Sequence, residues 1–530
     1  MKKIYITILL IFTVSIFPQE KNPNVELPDF VIMGKDVISV RRVDKLPPDF
    51  ISTVSDDYLK PIYKPDQLEI ADISNPVEGE LSLLDSADYR KGFIDVKAGR
   101  YQLPAGELNY VFPFTNGSLH GVVKGLNQLK YVDNSDRNYL AGQLNFNIAV
   151  PTDGKFLPGT KFSLSGNHNK NTYKFFGSSI DPVRKRTLNV GNVSLGIQNL
   201  YIKEFIFDVN AGSDYTYLND EEFNESLFYL NGFGRLKLSD FSLGVKANYQ
   251  YQTLTTDSLN DYRLDYFFGR PTIALEILNK VMIEGGITFA NAGDEEFFNL
   301  YGSLAAELAK NMILLAEYSP EVMNMTAGNL LQNNFYYDQQ DLTRIFVEKK
   351  NKLRAAVKYE FETYYQIDGG IEYFTTDNLP YYLNPDEAGL FAVATSDAKS
   401  FDVFLNLLYH LGPFGYFYGS FDYLSVKNSE NQKIPYYPGL KASLIYGYDF
   451  SEHWRAEAKF RYLSDRYADI ENQRKLESIF DLGFKLTFSL QRNFAIYGEL
   501  QNLLNNKRDF WEGYQEKPFE VLLGINFFFD

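Results

Sequence analysis

From about Gly92 to Phe529 the chain alternates apolar and polar residues with period two, segment after segment. Phe241, Leu243, Val245, Ala247, Tyr249 and Tyr251 fall on one face, and Ser242, Gly244, Lys246, Asn248, Gln250 and Gln252 on the other. Trp454, Ala456, Ala458, Phe460 and Tyr462 alternate in the same way with Arg455, Glu457, Lys459 and Arg461. Successive side chains of a strand point to opposite faces, whereas a helix gathers its apolar residues about every 3.6 positions. The segments are longer than the roughly five or six residues of an average soluble strand. A strand that crosses a bilayer needs about 9–11 residues, apolar toward lipid and polar toward the lumen. Such strands must close on themselves, because an open edge would leave unpaired backbone groups in hydrocarbon. The expected fold is all-β: a transmembrane antiparallel up-and-down β-barrel of about 22 strands over residues 91–530.

The connections point the same way. Tight turns are expected at Ser239-Asp240, Asn279, Lys310-Asn311, His410-Leu411-Gly412, Ser451-Glu452 and Gln491-Arg492-Asn493. Between them lie longer polar loops: Asn291 to Glu296, Asp377 to Gly389, Val426 to Pro435, Ser464 to Arg474 and Asn505 to Glu516. Short turns at one end and long loops at the other are the asymmetry of bacterial outer-membrane barrels. With an even strand number, both ends of the barrel lie on the short-turn, periplasmic side.

The first ninety residues read differently. Met1-Lys2-Lys3 followed by the apolar run Ile4 to Phe17 has the layout of a secretory signal peptide, assigned to residues 1–18. Residues 19–90 hold seven of the 21 prolines. Proline removes backbone donors and disfavours both helix and central strand, so this stretch is expected to be an extended periplasmic tether. It offers a docking segment for a periplasmic partner through residues 20–90.

Composition narrows the chemistry. The chain of 530 residues has no Cys, which excludes thiol catalysis and Cys-based metal sites, and a net charge of −16, which argues against nucleic acid. Aromatic residues make up 16%, with 39 Tyr and 44 Phe but two Trp, as suits girdles at the two membrane interfaces. The doublets Tyr336-Tyr337, Tyr364-Tyr365, Tyr381-Tyr382 and Tyr436-Tyr437 admit a sharper reading, a stacking track for sugars in the lumen or at its mouth. Of the four histidines, His120, His168, His410 and His453, the last two lie in or beside turns, and His168 lies alone in a strand. Ser396-Asp397-Ala398-Lys399 has a Ser-x-x-Lys spacing, which in a strand does not bring the two groups to one face. The clusters Asp220-Glu221-Glu222 and Asp294-Glu295-Glu296 read as solvated loop tips. No catalytic set, cofactor site or metal site is assigned.

The C-terminal stretch Ile496-Tyr497-Gly498-Glu499-Leu500-Gln501-Asn502-Leu503-Leu504-Asn505-Asn506-Lys507, then Trp511-Glu512-Gly513-Tyr514, then Gly524-Ile525-Asn526-Phe527-Phe528-Phe529, resembles the end of a TonB-dependent receptor barrel. Gly524, Phe527 and Phe529 resemble the signal read by the barrel-insertion machinery, with Leu522 at a usually polar position and Asp530 after the usual terminal aromatic. Residues 92–529 are similar in style to plug-less receptor-like barrels of Bacteroidetes-type bacteria. Asp29-Phe30-Val31-Ile32-Met33-Gly34 is only faintly similar to that family's short energy-coupling box. The resemblance implies an outer-membrane barrel, in contact with outer-membrane lipid, that acts as a passive or partner-gated conduit for small solutes. The alternative is a structural or assembly barrel whose tether recruits a periplasmic partner.

A plug-less barrel of this size would leak, since diameter grows with strand number. The longest irregular stretch, Pro320 to Leu342, carries Met323, Met325, Leu330, Leu331, Phe335, Tyr336 and Tyr337. These are the candidate lumen constriction, with a short helix expected around Thr326–Gln332.

Overall fold

The computed structural model describes residues 90–529, apart from 155–156, 203, 221–222, 240, 257–258, 278–279, 294, 340–344, 362–364 and 411–414. The leader assigned to residues 1–18, the tether up to residue 89 and the motif at Asp29–Gly34 lie outside the described residues.

Twenty-two strands form one closed antiparallel barrel in which each pairs with its neighbours in sequence. The first strand, Gly92–Gly99, pairs with the last, Glu520–Phe529, setting Gly92 opposite Phe529 and Gly99 opposite Leu522. Closure satisfies the backbone of both edges, which a sheet in lipid requires. One strand is interrupted: Met312–Tyr318 pairs on both sides, breaks at Ser319-Pro320, and resumes as Glu321–Asn324 against Phe346–Phe361 alone. Pro320 has no amide hydrogen to give the ladder, so the break falls where the sequence withholds a donor. Among the described residues no helix is long and apolar enough to cross a membrane.

The period-two pattern becomes an outside and an inside. On the strand Lys185–Asn199, Val193, Leu195 and Ile197 are exposed on the outer surface, while Asn192, Ser194 and Gln198 face inward. The strand Phe241–Thr256 turns Phe241, Leu243 and Val245 outward, as its sequence predicts. Buried apolar surface usually holds a sheet together; here the apolar face is left for lipid, and the interior is polar. This geometry places the protein in the outer membrane.

Turns at the tight end are as short as residues 115–116, 239–240, 310–311 and 492–493. Asn116, Ser239 and Asn311 take positive φ of 64°, 62° and 67°, the left-handed conformation that a two-residue hairpin demands. The longest connection at this end is 150–160; the long loops expected from sequence all emerge from the opposite end. Two of them are shorter than expected. Asn291 pairs with Glu296 and Ala292 with Glu295, and the strand that contains Asp377 runs on to Tyr382 before the loop 383–392 begins. Polar residues near the outer mouth remain hydrogen-bonded in the ladder above the bilayer, so polarity alone does not mark a strand's end there.

Candidate functional site

At the loop end, the connection between Glu321–Asn324 and Phe346–Phe361 turns against the inner wall. Its core is a short helix, Ala327–Asn333, capped by Thr326, whose hydroxyl accepts the Asn329 amide while the Asn329 side chain accepts the Thr326 amide. That reciprocal pair satisfies two of the orphan donors at a helix start. The two next orphans are taken by the wall: the Glu225 carboxylate accepts the amides of Ala327 at 3.0 Å and Gly328 at 2.6 Å, and also Gln252 Nε2 at 2.5 Å. Glu225 faces inward from the strand Phe223–Leu238. Gly328 is required by this approach, since a Cβ there would lie 2.7 Å from Thr216 Oγ1 and 3.0 Å from Glu225 Oε2. Negative charge at a helix start is favourable as well as complementary.

The segment after the helix is held by a second anchor. Arg186, fully buried, donates through Nε to Asp220 at 2.9 Å and through an η nitrogen to the Tyr337 carbonyl at 2.6 Å. Tyr173 donates to the Phe335 carbonyl, and Tyr382 to the Leu330 carbonyl at 2.6 Å. Each anchor ties loop backbone to a wall residue, so the loop's polar groups are paid for locally.

Other loops then meet it. Tyr336 stacks on Tyr514 with ring centroids 3.5 Å apart, and Tyr514 donates to the Gly389 carbonyl at 2.6 Å. Phe176 packs edge-on against Tyr514 at 4.8 Å, and Trp511 contacts Tyr382, Phe391 and Tyr436 at 5.1, 5.5 and 4.7 Å. Gly177 and Gly389 make room for Tyr514: a Cβ on either would come within 2.8 Å of its ring or hydroxyl. Segments 175–184, 325–339, 383–392, 428–439 and 502–519, rooted around the rim, thus share one apolar cluster across the mouth. Burial pushes the phenols of Tyr336, Tyr514 and Tyr436 well up, and that of Tyr437 to about 12. These groups are neutral at physiological pH, which suits an apolar cap.

Beneath the cap lies a cavity of about 750 Å³, bounded above by Thr326, Gly328, Leu331, Gln332 and Phe335 and on the wall side by Arg137, Gln143, Asn167, Asn192, Asp214 and Glu225 among others. Arg137 lies over the Phe335 ring at 5.0 Å and donates to Asn171 at 2.7 Å.

Of the residues singled out in the sequence, Leu330, Leu331, Tyr336 and Tyr337 are buried in this cluster, and Met325 and Phe335 pack against it. Met323 is exposed, while its neighbours Val322 and Asn324 bond to Tyr266 and to Gln250 and Gln252. Gly524, Phe527 and Phe529 lie in the last strand; Phe527 is exposed on the outer surface and Phe529 packs on Tyr110 at 5.6 Å. Gly524 sits under the Tyr497 ring, whose Cζ lies 2.2 Å from where a Cβ on residue 524 would stand. The sequence reading did not pick out Tyr173, Arg186, Glu225, Phe391, Trp511 or Tyr514 as cap residues. The aromatic doublets carried the signal, since Tyr336-Tyr337, Tyr381-Tyr382 and Tyr436-Tyr437 all join the cluster. His168 faces outward and bonds Tyr215, and Ser396 and Lys399 stand three residues apart on one strand.

No protein-family model matches the chain, and no curated protein matches it either. Solved structures do. The ferric-catecholate import receptor Fiu of Escherichia coli K12 aligns with a TM-score of 0.60 at 11% identity, covering 83% of this chain and 82% of that one. The FrpB iron transporter of Neisseria meningitidis aligns at 0.63 and 10% identity, covering 84% and 82%. The ferripyoverdine receptor of the Pseudomonas aeruginosa outer membrane aligns at 0.61 and 10%, covering 83% and 72%. At such identities the likeness is one of fold: the chain is an outer-membrane β-barrel with the 22-strand architecture of TonB-dependent receptors.

Proposed function

We propose that the protein is a gated conduit for small solutes, closed at its outer mouth by the aromatic cap. The observation that carries this reading is the meeting of five mouth segments around Tyr336 and Tyr514, above a polar cavity in the lumen. An apolar seal over a polar interior stops ions and water while leaving a path that opens if the loops part. The solved structures of similar fold include an iron transporter and a ferric-catecholate import receptor, which favours passage over a purely architectural role. Met323, Met325, Leu330, Leu331, Phe335, Tyr336 and Tyr337 form the constriction in this reading. Residues 20–90 recruit the periplasmic partner that gates passage, and the final strand with Gly524, Phe527 and Phe529 is read by the barrel-insertion machinery. Cells that produce a variant deleted from Val322 to Gln340 should become sensitive to a large hydrophilic antibiotic such as vancomycin. Unchanged sensitivity, with the variant barrel folded in the outer membrane, contradicts the proposal.

A further inference from the structure

The outer surface of the first six strands changes character toward the loop end. Leu144 and Val193 flank Gly166 and lie exposed, as lipid-facing residues should. One outward position nearer the loops, His168 is hydrogen-bonded through Nδ1 to the hydroxyl of Tyr215 at 2.5 Å. A phenol facing lipid marks the membrane interface. The next outward position is Lys170, set between Leu140 and Asn189, so its ammonium stands at headgroup depth. Above it runs a polar row in which Asn127 faces Asn138, Asn138 faces Thr172 and Thr172 faces Thr187, the two threonine hydroxyls 3.1 Å apart. Lys174 and Lys185 then face each other at the top.

This basic patch runs against a net charge of −16. Arg100, in the turn after the first strand, is exposed, as are Lys170 and Lys185. None of the three has an ion-pair partner among the described residues. Lys130 and Lys174 meet one carboxylate each, Asp133 at 3.3 Å and Asp136 at 3.0 Å. Farther along the rim the protein supplies its own counter-charges: Lys350 meets Asp377 at 2.6 Å, Lys475 meets Asp465 at 2.7 Å, and Arg474 meets Glu512 at 2.9 Å. Between the Arg100 turn and the loop 129–136 lies a groove of about 680 Å³, lined by Arg100, Asn127, Lys130 and Asn138 among others, with Leu129 exposed at its edge. Cations at headgroup depth attract anionic lipid, and the amides and hydroxyls beside them offer the donors and acceptors that sugar hydroxyls match.

We propose that this outer face docks a phosphorylated glycolipid of the outer leaflet. Its phosphates meet Arg100, Lys170 and Lys185, its sugars lie along the row from Asn127 to Thr187, and its acyl chains descend over Leu140, Leu144 and Val193. The proposal goes beyond the conduit and rests only on the loop end facing outward.

The test is native mass spectrometry of the full-length protein in mild detergent, titrated with deep-rough lipopolysaccharide. The same glycolipid stripped of phosphate, and phosphatidylglycerol, serve as comparators. The intact glycolipid should be retained, and each comparator should bind about tenfold more weakly or worse. Combining Arg100→Ser, Lys170→Ser and Lys185→Ser should weaken retention by a similar factor, while Lys350→Ser should leave it unchanged. Lys170→Arg with Lys185→Arg, which keeps the charge, should bind like the wild type. Heat-modifiable gel migration reports assembly, and Lys170→Ser alone gives the readout at smaller amplitude where the triple variant does not assemble. Inorganic phosphate, against chloride of equal ionic strength, should not displace the glycolipid; displacement would reveal a simple anion site and overturn the proposal. It is also overturned if the wild type retains no glycolipid, if either comparator binds equally well, or if the assembled serine variants bind like the wild type.

Discussion

Leu195 and Gln143 stand on the same sheet but face different surroundings. Leu195 is 59% exposed on the outer surface, and Gln143 is exposed within the lumen. Register puts Leu195 midway between two aromatic levels, since Asn199 pairs with Phe207 and Gly191 with Tyr215. That is where the hydrocarbon is thickest. Leu195→Arg should therefore cost about 2–4 kcal/mol, while Gln143→Arg, which stays in water, should cost less than about 1 kcal/mol. Denaturant unfolding in lipid vesicles measures both; equal costs would mean the faces are assigned wrongly. Which face each residue takes was readable from alternation alone, because the period of a strand is two and no tertiary contact can override it without breaking the ladder. The partners of Glu225 and Arg186 were not readable. Glu225 meets Ala327 across 102 residues and Arg186 meets Tyr337 across 151, and nothing local in the sequence encodes such pairings.

Strands and loops differed in legibility for the same reason. The strands repeat a local pattern, and the helix at Ala327–Asn333 announces itself by Thr326 and Asn329 three positions apart, close to the expected Thr326–Gln332. The cap is built from segments distant in sequence, so its aromatic doublets carried two meanings, girdle or lumen, until the loops were placed. Its tyrosines make a pH prediction. Their folded values lie above the ordinary value near 10, so the stability they give the closed cap is complete below about pH 10. It is lost as pH rises through the folded values, which for Tyr437 means about 12. Trp511 is packed within the cap, and Trp454 is the other tryptophan in the chain, so a Trp454→Phe variant isolates the Trp511 signal. Its emission should hold steady to about pH 10 and shift to the red above it. A red shift between about pH 7 and 9 would show that the cap is not held by neutral phenols.

The barrel has one plain end and one elaborated end, and its orientation follows from which end is which. The chain has no Cys, so single cysteines report position cleanly. Cysteines at Ser239 and Asn311, in tight turns, should resist an impermeant thiol reagent applied to intact cells, and those at Asn428 and Asp469, in long loops, should react. Labelling of both sets alike would refute the orientation. The orientation in turn gives the cap its meaning, since the end it covers is the one that faces the environment. Single-channel recording in planar bilayers therefore tests the central claim, a lumen sealed by its own mouth loops. The intact protein should show only small or rare openings, and the variant deleted from Val322 to Gln340 should conduct steadily. Tyr514→Ala, which removes the ring that Tyr336 stacks on, should fall between them. Equal conductance in all three, each verified as a folded barrel, would contradict the account.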